Sequence, residues 1–198
     1  MKIKDLIRGG YLFKKLYLTN QKSLMGSFGD NSVIGIPSLI QSPNNIYIGE
    51  HVSIGPFAYL SARNAKLTIH DNVVIAGKLA VFTGNHARVP GLFINEITEK
   101  NKPKGYDEEI IVESDVWIGY NVTLLSGVIV GRGSTIAAGS VVSKSIPPYC
   151  IAGGVPAHFI SFYWSIDEIL FHEEKCYPKE KRYSRAFLED LFNKYGQC

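Results

Sequence analysis

The chain has 198 residues, enough for one domain with a substantial core but not for a second full domain. Its 45% hydrophobic and 20% charged residues are ordinary for a soluble protein, and no uninterrupted apolar run approaches a membrane span. The net charge of +3 is too small to argue for nucleic acid, and three scattered cysteines, Cys150, Cys176 and Cys198, suit a reducing, cytoplasmic setting rather than a disulfide framework.

Positive charge is concentrated at the start, where Lys2, Lys4, Arg8, Lys14, Lys15 and Lys22 face Asp5 alone. Residues 2–18 predict a short helix with Ile3, Leu6 and Ile7 on one side, weakened or broken at Gly9 and Gly10. Lys14 and Lys15 interrupt the apolar stretch that a signal peptide would need. The apolar side is expected to pack on the domain while the lysines stay solvated; contact with anionic lipid headgroups is the lesser alternative.

From Asn31 a six-residue period begins irregularly. Ile34 and Ile40 share one register, and Pro43-Asn44-Asn45 shifts it. Ile48, Ile54 and Leu60 open three hexads, Lys66-Leu67-Thr68 inserts three residues at a corner, and Ile69, Ile75 and Val81 open three more. The last of these ends on Asn85-His86. Residues 87–111 have no hexad rhythm; they are expected to leave one corner without disturbing the stack, as long loops in compact domains do when they carry function. Lys100, Lys102 and Lys104 read as a solvated face of that loop, without a role.

The stretch Val112 to Ile146 is the most regular part. Val112, Ile118, Leu124, Val130, Ile136 and Val142 recur every six residues, with Val116, Val122, Val128, Ser134, Ser140 and Ile146 four places after each. A helix would alternate spacings of three and four, and a plain strand would alternate residue by residue. A fixed period of six, with Gly, Asn, Asp and Ser between, predicts a hexapeptide β-solenoid. Three hexads close one triangular coil, and stacking joins the inward residues into one core. The repeats are expected to stop at Pro147-Pro148, which cannot donate to a ladder. Ser165 as N-cap, with Glu168 three places on, opens a helix over 165–176, and Ser184 to Tyr195 reads as a second, ended by Gly196; both are expected to cap the open end of the solenoid. The segments are therefore 1–30, a solenoid over 31–160, and helices within 161–198.

Four further motifs, TGNH at 83–86, VWIG at 116–119, AGSVVSKSIPP at 138–148 and AGGVPA at 152–157, carry a resemblance. From about Asn31 to Ile160 the chain resembles the hexapeptide-repeat acetyltransferases, in the branch of maltose, galactoside and polysaccharide O-acetyltransferases. The resemblance implies a mainly β, left-handed parallel β-helix; the handedness is the family's property and does not follow from the spacing. It implies acetyl-CoA as co-substrate, a homotrimer with active sites between neighbouring solenoids, and a sugar or saccharide acceptor. On the matching positions His86 is the general base, Trp117 lies near the acetyl and pantetheine end, and Ala138, Ser143 and Lys144 contact coenzyme A, the lysine on the phosphate side. Where relatives carry basic residues after VPA, this chain has His158 and Ser161, which leaves Lys144 or Arg132 to meet the phosphates.

Asn85 orients His86 or a substrate hydroxyl on one reading and is an ordinary turn asparagine on the other. His51 and His70 sit at turn positions and read as solvated, too far apart with His86 for the close pair of a zinc-binding β-helix, so no metal is expected. The expected activity is acetyl transfer to a sugar hydroxyl in surface or capsular polysaccharide building. The alternatives are N-acetylation of an amino sugar and a non-catalytic β-helix scaffold. Acceptor specificity is expected in residues 87–111 and the N-terminal segment.

Overall fold

A computed structural model describes residues 3–14, 16 and 21–196. Among the described residues, seventeen short strands form three sheets. The first sheet holds β1 (Ser27–Phe28), β4 (Ile46–Ile48), β7 (Leu67–Ile69), β10 (Ile110–Val112) and β13 (Ile129–Val130). The second holds β2 (Val33–Ile34), β5 (Ser53–Ile54), β8 (Val74–Ile75), β11 (Trp117–Ile118), β14 (Thr135–Ile136), β16 (Cys150–Gly154) and β17 (Ala157–Phe162). The third holds β3 (Leu39–Gln41), β6 (Tyr59–Ser61), β9 (Ala80–Phe82), β12 (Thr123–Leu125) and β15 (Val141–Val142). From β1 to β15 consecutive strands visit the sheets in rotation, and all pairings are parallel except the closing β16–β17 hairpin.

The hexad reading explains the core. Val112, Ile118, Leu124, Val130, Ile136 and Val142 are each 0% exposed, and Val116, Val122 and Val128 fill the second inward column beside them. Ser134 and Ser140 take the same place as those valines because their buried hydroxyls donate to the carbonyls of Gly131 and Ala137, three residues back, both at 2.6 Å. The corners repeat too. Asp115, Asn121, Gly127, Gly133 and Gly139, six apart, all have φ between 59° and 82°. That left-handed region is open to glycine and tolerated by asparagine and aspartate, so the polar residues between the apolar ones are those that can turn.

Two expectations need correction here. The ladder does not stop at Pro147-Pro148. Ile146 bridges Val130, and β16 adds a parallel strand to β14 before β17 closes the sheet. The prolines sit at a corner, where no ladder donor is required. Nor does the N-terminal segment break at Gly9-Gly10: α1 (Ile3–Phe13) is continuous, and none of its residues is buried on the domain. Lys2, Lys15 and residues 17–20 lie outside the described residues.

The C-terminal helices cap the end of the stack. Helix α2 (Ile166–Cys176) starts at Ser165 with the expected capping box to Glu168, and α3 (Arg185–Tyr195) starts at Ser184. Gly196 closes α3 in an ordinary right-handed conformation, with φ −78°. Tyr149, Ile169 and Leu188 form a small buried cluster under these helices, and Phe192 of α3 stacks on Phe162 of β17 at 3.8 Å. Burial pushes the Cys150 thiol of β16 up to about 12, so it behaves as a small apolar core residue.

Candidate active site

All departures from the six-residue period fall on one vertex, between the third and first sheets. After β3 the chain takes a 3₁₀ turn over Pro43–Asn45; after β6 it turns through Asn64, with φ 64°; after β9 it leaves the stack until β10. Each detour returns with one extra inward residue, Ile46, Leu67 or Ile110. The three pair in register and are all 0% exposed. The insertion at Lys66-Leu67-Thr68 is therefore part strand: Leu67 belongs to the core, and only the turn before it is the corner.

Residues 83–86 leave the prism at this vertex. Thr83 is buried, with its hydroxyl within 3.1 Å of the Arg63 and Ala65 carbonyls of the coil below. The loop's return is tied to the same point, since Ser126 of the next coil donates to the Thr83 carbonyl at 2.9 Å and accepts the Glu108 N–H at 2.8 Å. Gly84 threads a gap that a Cβ would fill, 3.3 Å from the Arg63 carbonyl oxygen and 3.4 Å from Asp107 Oδ1.

Asn85 is held on both sides of its backbone. Its N–H donates to Asp107 Oδ1 at 2.9 Å, and its carbonyl accepts from Lys102 Nζ at 3.1 Å. Lys102 also pairs with Asp107 at 2.6 Å and Glu99 at 3.3 Å, and Asn64 Nδ2 donates to Glu99 at 2.7 Å. The Asn85 side chain accepts the His86 N–H at 2.9 Å, the turn-forming role of asparagine. His86 itself is exposed, on the rim of a cavity of about 120 Å³ that Arg63, Asn64, Asn85, Lys102 and Asp107 also line.

Lys102 corrects the sequence reading. Only 9% of its side chain is exposed, so it is not part of a solvated lysine face. Burial pulls its ammonium down, but the hydrogen bonds and ion pairs to Asp107 and Glu99 outweigh this and hold it above the ordinary lysine value. Burial likewise pushes the Asp107 carboxyl up, yet Lys102, the Asn85 N–H and Asn64 hold it below the ordinary range. The two shifts act in opposite windows. The Asp107 contribution fades only as pH falls through its lowered value, and the Lys102 contribution only as pH rises through its raised one, so the clamp is fully charged at neutral pH. Neither residue was legible as functional: an i,i+5 Lys–Asp spacing in an irregular loop has no periodic signature.

The other candidates divide between two places. Ser143 and Lys144 are exposed after β15, on the same vertex as His86 and two coils further along. Trp117, 54% exposed, stands in the middle of the second sheet between Val74 and Thr135. Ala138 is exposed at the next corner, where a Cβ on Gly119 would come within 2.6 Å of its backbone nitrogen. In a three-sided prism the second sheet lies opposite the vertex between the third and first. One chain therefore joins Asn85 and His86 but keeps them apart from Trp117 and Ala138.

Arg132 is withdrawn from solvent chemistry. Its Nη1 lies 3.1 Å from both Glu173 oxygens and donates to the Lys181 carbonyl at 2.9 Å, with the guanidinium over the Tyr177 and Tyr183 rings. Its guanidinium is engaged by the cap, whereas the Lys144 ammonium is exposed, so Lys144 is the more open of the two cations. His51 and His70 are exposed at the corner between the first and second sheets, away from this vertex. A larger hollow of about 490 Å³ beside α2 is lined by Trp164, Phe171 and His172 and lies at the capped end.

Residues 109–144 match the family model described as Bacterial transferase hexapeptide (six repeats). The chain is 32% identical over 161 residues to the Lysinibacillus sphaericus protein named "Probable macrolide acetyltransferase", covering 76% of this chain and 87% of that one. It is 32% identical over 139 residues to the galactoside O-acetyltransferase of Escherichia coli K12, covering 70% of this chain and 64%, just under two thirds, of that protein's length. A hexapeptide-repeat-containing acetyltransferase from Vibrio cholerae, solved with acetyl coenzyme A, superposes with a TM-score of 0.64 at 26% identity, over 82% of this chain and 90% of that one.

Proposed function

The chain belongs to the hexapeptide-repeat acetyltransferases, an acetyl-CoA-dependent family of left-handed parallel β-helices, and from that premise we propose that it acetylates a saccharide hydroxyl directly, in the building of a surface polysaccharide, with His86 as general base. The observation that carries this reading is the clamped turn at the irregular vertex. Asp107 and Lys102 fix the Asn85 backbone, and Asn85 fixes the start of His86, so an exposed imidazole is offered from a rigid base. The imidazole accepts the hydroxyl proton as the oxygen bonds to the thioester carbon. The carbon–sulfur bond then breaks, and the coenzyme A thiolate takes a proton back from the imidazolium. No covalent enzyme intermediate is required. An acceptor approaching from solvent suits a large saccharide, and the galactoside O-acetyltransferase relative favours a sugar.

The shape of the prism supports completion of the site by a second copy. Trp117 shares the outer face of the second sheet with Val33 and Val74, each 53% exposed, and with Ser53 between them, a largely apolar column that another solenoid would cover. A cyclic trimer would bring that face to the His86 vertex of a neighbour. Light scattering is expected to give three chains per particle, and a fully active monomer would refute the arrangement.

Two substitutions probe the division of labour. Lys144→Ala is expected to raise the KM for acetyl-CoA several-fold with a smaller change in kcat, because an exposed ammonium holds a phosphate without touching the reacting atoms. Lys102→Met is expected to lower kcat about ten- to a hundred-fold while leaving the acetyl-CoA KM near its parental value, the cost of loosening a supporting contact. The reverse pattern in either variant would reassign the residue. The enzyme assignment itself is tested by thiol release from acetyl-CoA across a panel of sugars and amino sugars. Absence of any acceptor-dependent release, together with no coenzyme binding, would make the protein a scaffold.

A further inference from the structure

Helix α1 is amphipathic, and among the described residues its apolar side is left open to solvent at Ile3, Leu6, Ile7 and Tyr11. None of its eleven residues is buried, and Ile3, Leu6, Ile7 and Tyr11 are 60–76% exposed. At about 100° per residue, Ile3, Leu6, Ile7, Gly10, Tyr11 and Phe13 fall within an arc of roughly 160°, and Lys4 and Arg8 border it on one side. Among residues 3–14, Lys4, Arg8 and Lys14 outnumber Asp5, a local excess of two positive charges. Leu16 lies in a hollow with Pro37, Leu39, Phe57 and Tyr59 of the first two coils, so the helix leaves the prism at the end opposite α2 and α3.

We propose that α1 is an interfacial anchor that lays the enzyme on an anionic lipid bilayer. At about 1.5 Å per residue the helix is roughly 16 Å long, too short to cross a hydrocarbon core of about 30 Å but well suited to lie along its surface. Charge decides between a bilayer and a second copy of the chain. Two α1 helices packed on their apolar faces would bring Lys4 and Arg8 towards like charges, whereas an acidic headgroup layer receives both. Each basic residue near such a surface is worth a factor of about five, so Lys4 and Arg8 together favour anionic over neutral lipid by roughly 25-fold. An enzyme held this way meets its acceptor at a membrane surface, which fits a saccharide growing on a lipid carrier. The anchor rests on the helix, not on the acetylation chemistry at His86.

The test is sedimentation of the full-length protein with sucrose-loaded vesicles of phosphatidylcholine, alone or with about a third phosphatidylglycerol. Binding to the anionic vesicles is expected, weakening about tenfold or more on neutral ones and on raising salt from ~0.1 to ~0.5 M, where screening shortens the reach of the charges. Leu6→Glu/Ile7→Glu should abolish it, and Lys4→Glu/Arg8→Glu should remove the preference for anionic lipid. Both variants should keep the parental particle mass and the parental affinity for coenzyme A, a readout that fails separately if the enzymatic reading is wrong. Wild-type protein that stays in the supernatant, or binding untouched by either double substitution, would overturn the anchor. So would a Leu6→Glu/Ile7→Glu variant that changes particle mass while binding vesicles normally, which would assign the face to a second copy.

Discussion

Replacing His86 by alanine is expected to lower kcat by about a hundred- to ten-thousand-fold, the usual cost of losing a general base. An alcohol must shed its proton as it attacks the thioester, and imidazole is the side chain that can take a proton near neutrality without being charged beforehand. The variant should keep its particle mass and its affinity for coenzyme A, because the His86 side chain is exposed and its backbone N–H bond to Asn85 does not depend on the ring. His51→Ala and His70→Ala, at another corner, should change turnover far less. A His86→Ala enzyme with near-parental turnover on its true acceptor would remove the mechanism.

The second large effect is on stability. Glu173 is 1% exposed and accepts from Arg132, from the Tyr149 hydroxyl at 2.6 Å and from the Tyr183 N–H at 3.2 Å. Burial, and then the bond to Glu173, push the Tyr149 phenol well above its ordinary value, so it remains a donor at any working pH. Glu173→Ala would strand the Arg132 guanidinium, the buried Tyr149 hydroxyl and the half-buried Tyr183 N–H at the seam between the solenoid and its cap. Removing one member of a buried charge pair costs about 3–5 kcal/mol. For a domain of this size that lowers Tm by roughly 6–20 °C. Glu173→Gln, which keeps an acceptor but not the charge, should fall between. A Glu173→Ala protein that melts with the parent would show that the seam is solvated and carries no such load.

The sequence alone determined the solenoid, because its physics is local and repeated. Two residues per hexad point inward, and a residue able to hold positive φ turns the chain, so position in the period predicts which residues fill the two inward columns from Val112 to Ile146. The helix caps at Ser165 and Ser184 were equally legible, since each N-cap bond spans only three residues. His86 could be picked out by where the rhythm stops and by the motif around it, and nothing more.

What surrounds His86 was decided only in three dimensions. Lys102 and Asp107 come from the excursion and Asn64 from the corner of an earlier coil, and they meet because every irregular corner stacks on one vertex. The ion pairs that bury Lys102, to Glu99 and Asp107, are set by an aperiodic loop, where charge pattern alone reads as solvent-facing. Arg132 looked free for a phosphate until α2 brought Glu173 onto it. The N-terminal helix failed in the opposite direction. Its amphipathic pattern calls for a partner surface, but a periodic apolar face states only that something must cover it. Which surface that is depends on what the folded solenoid leaves uncovered, and the solenoid, with its own core already filled by its hexads, had no place for it.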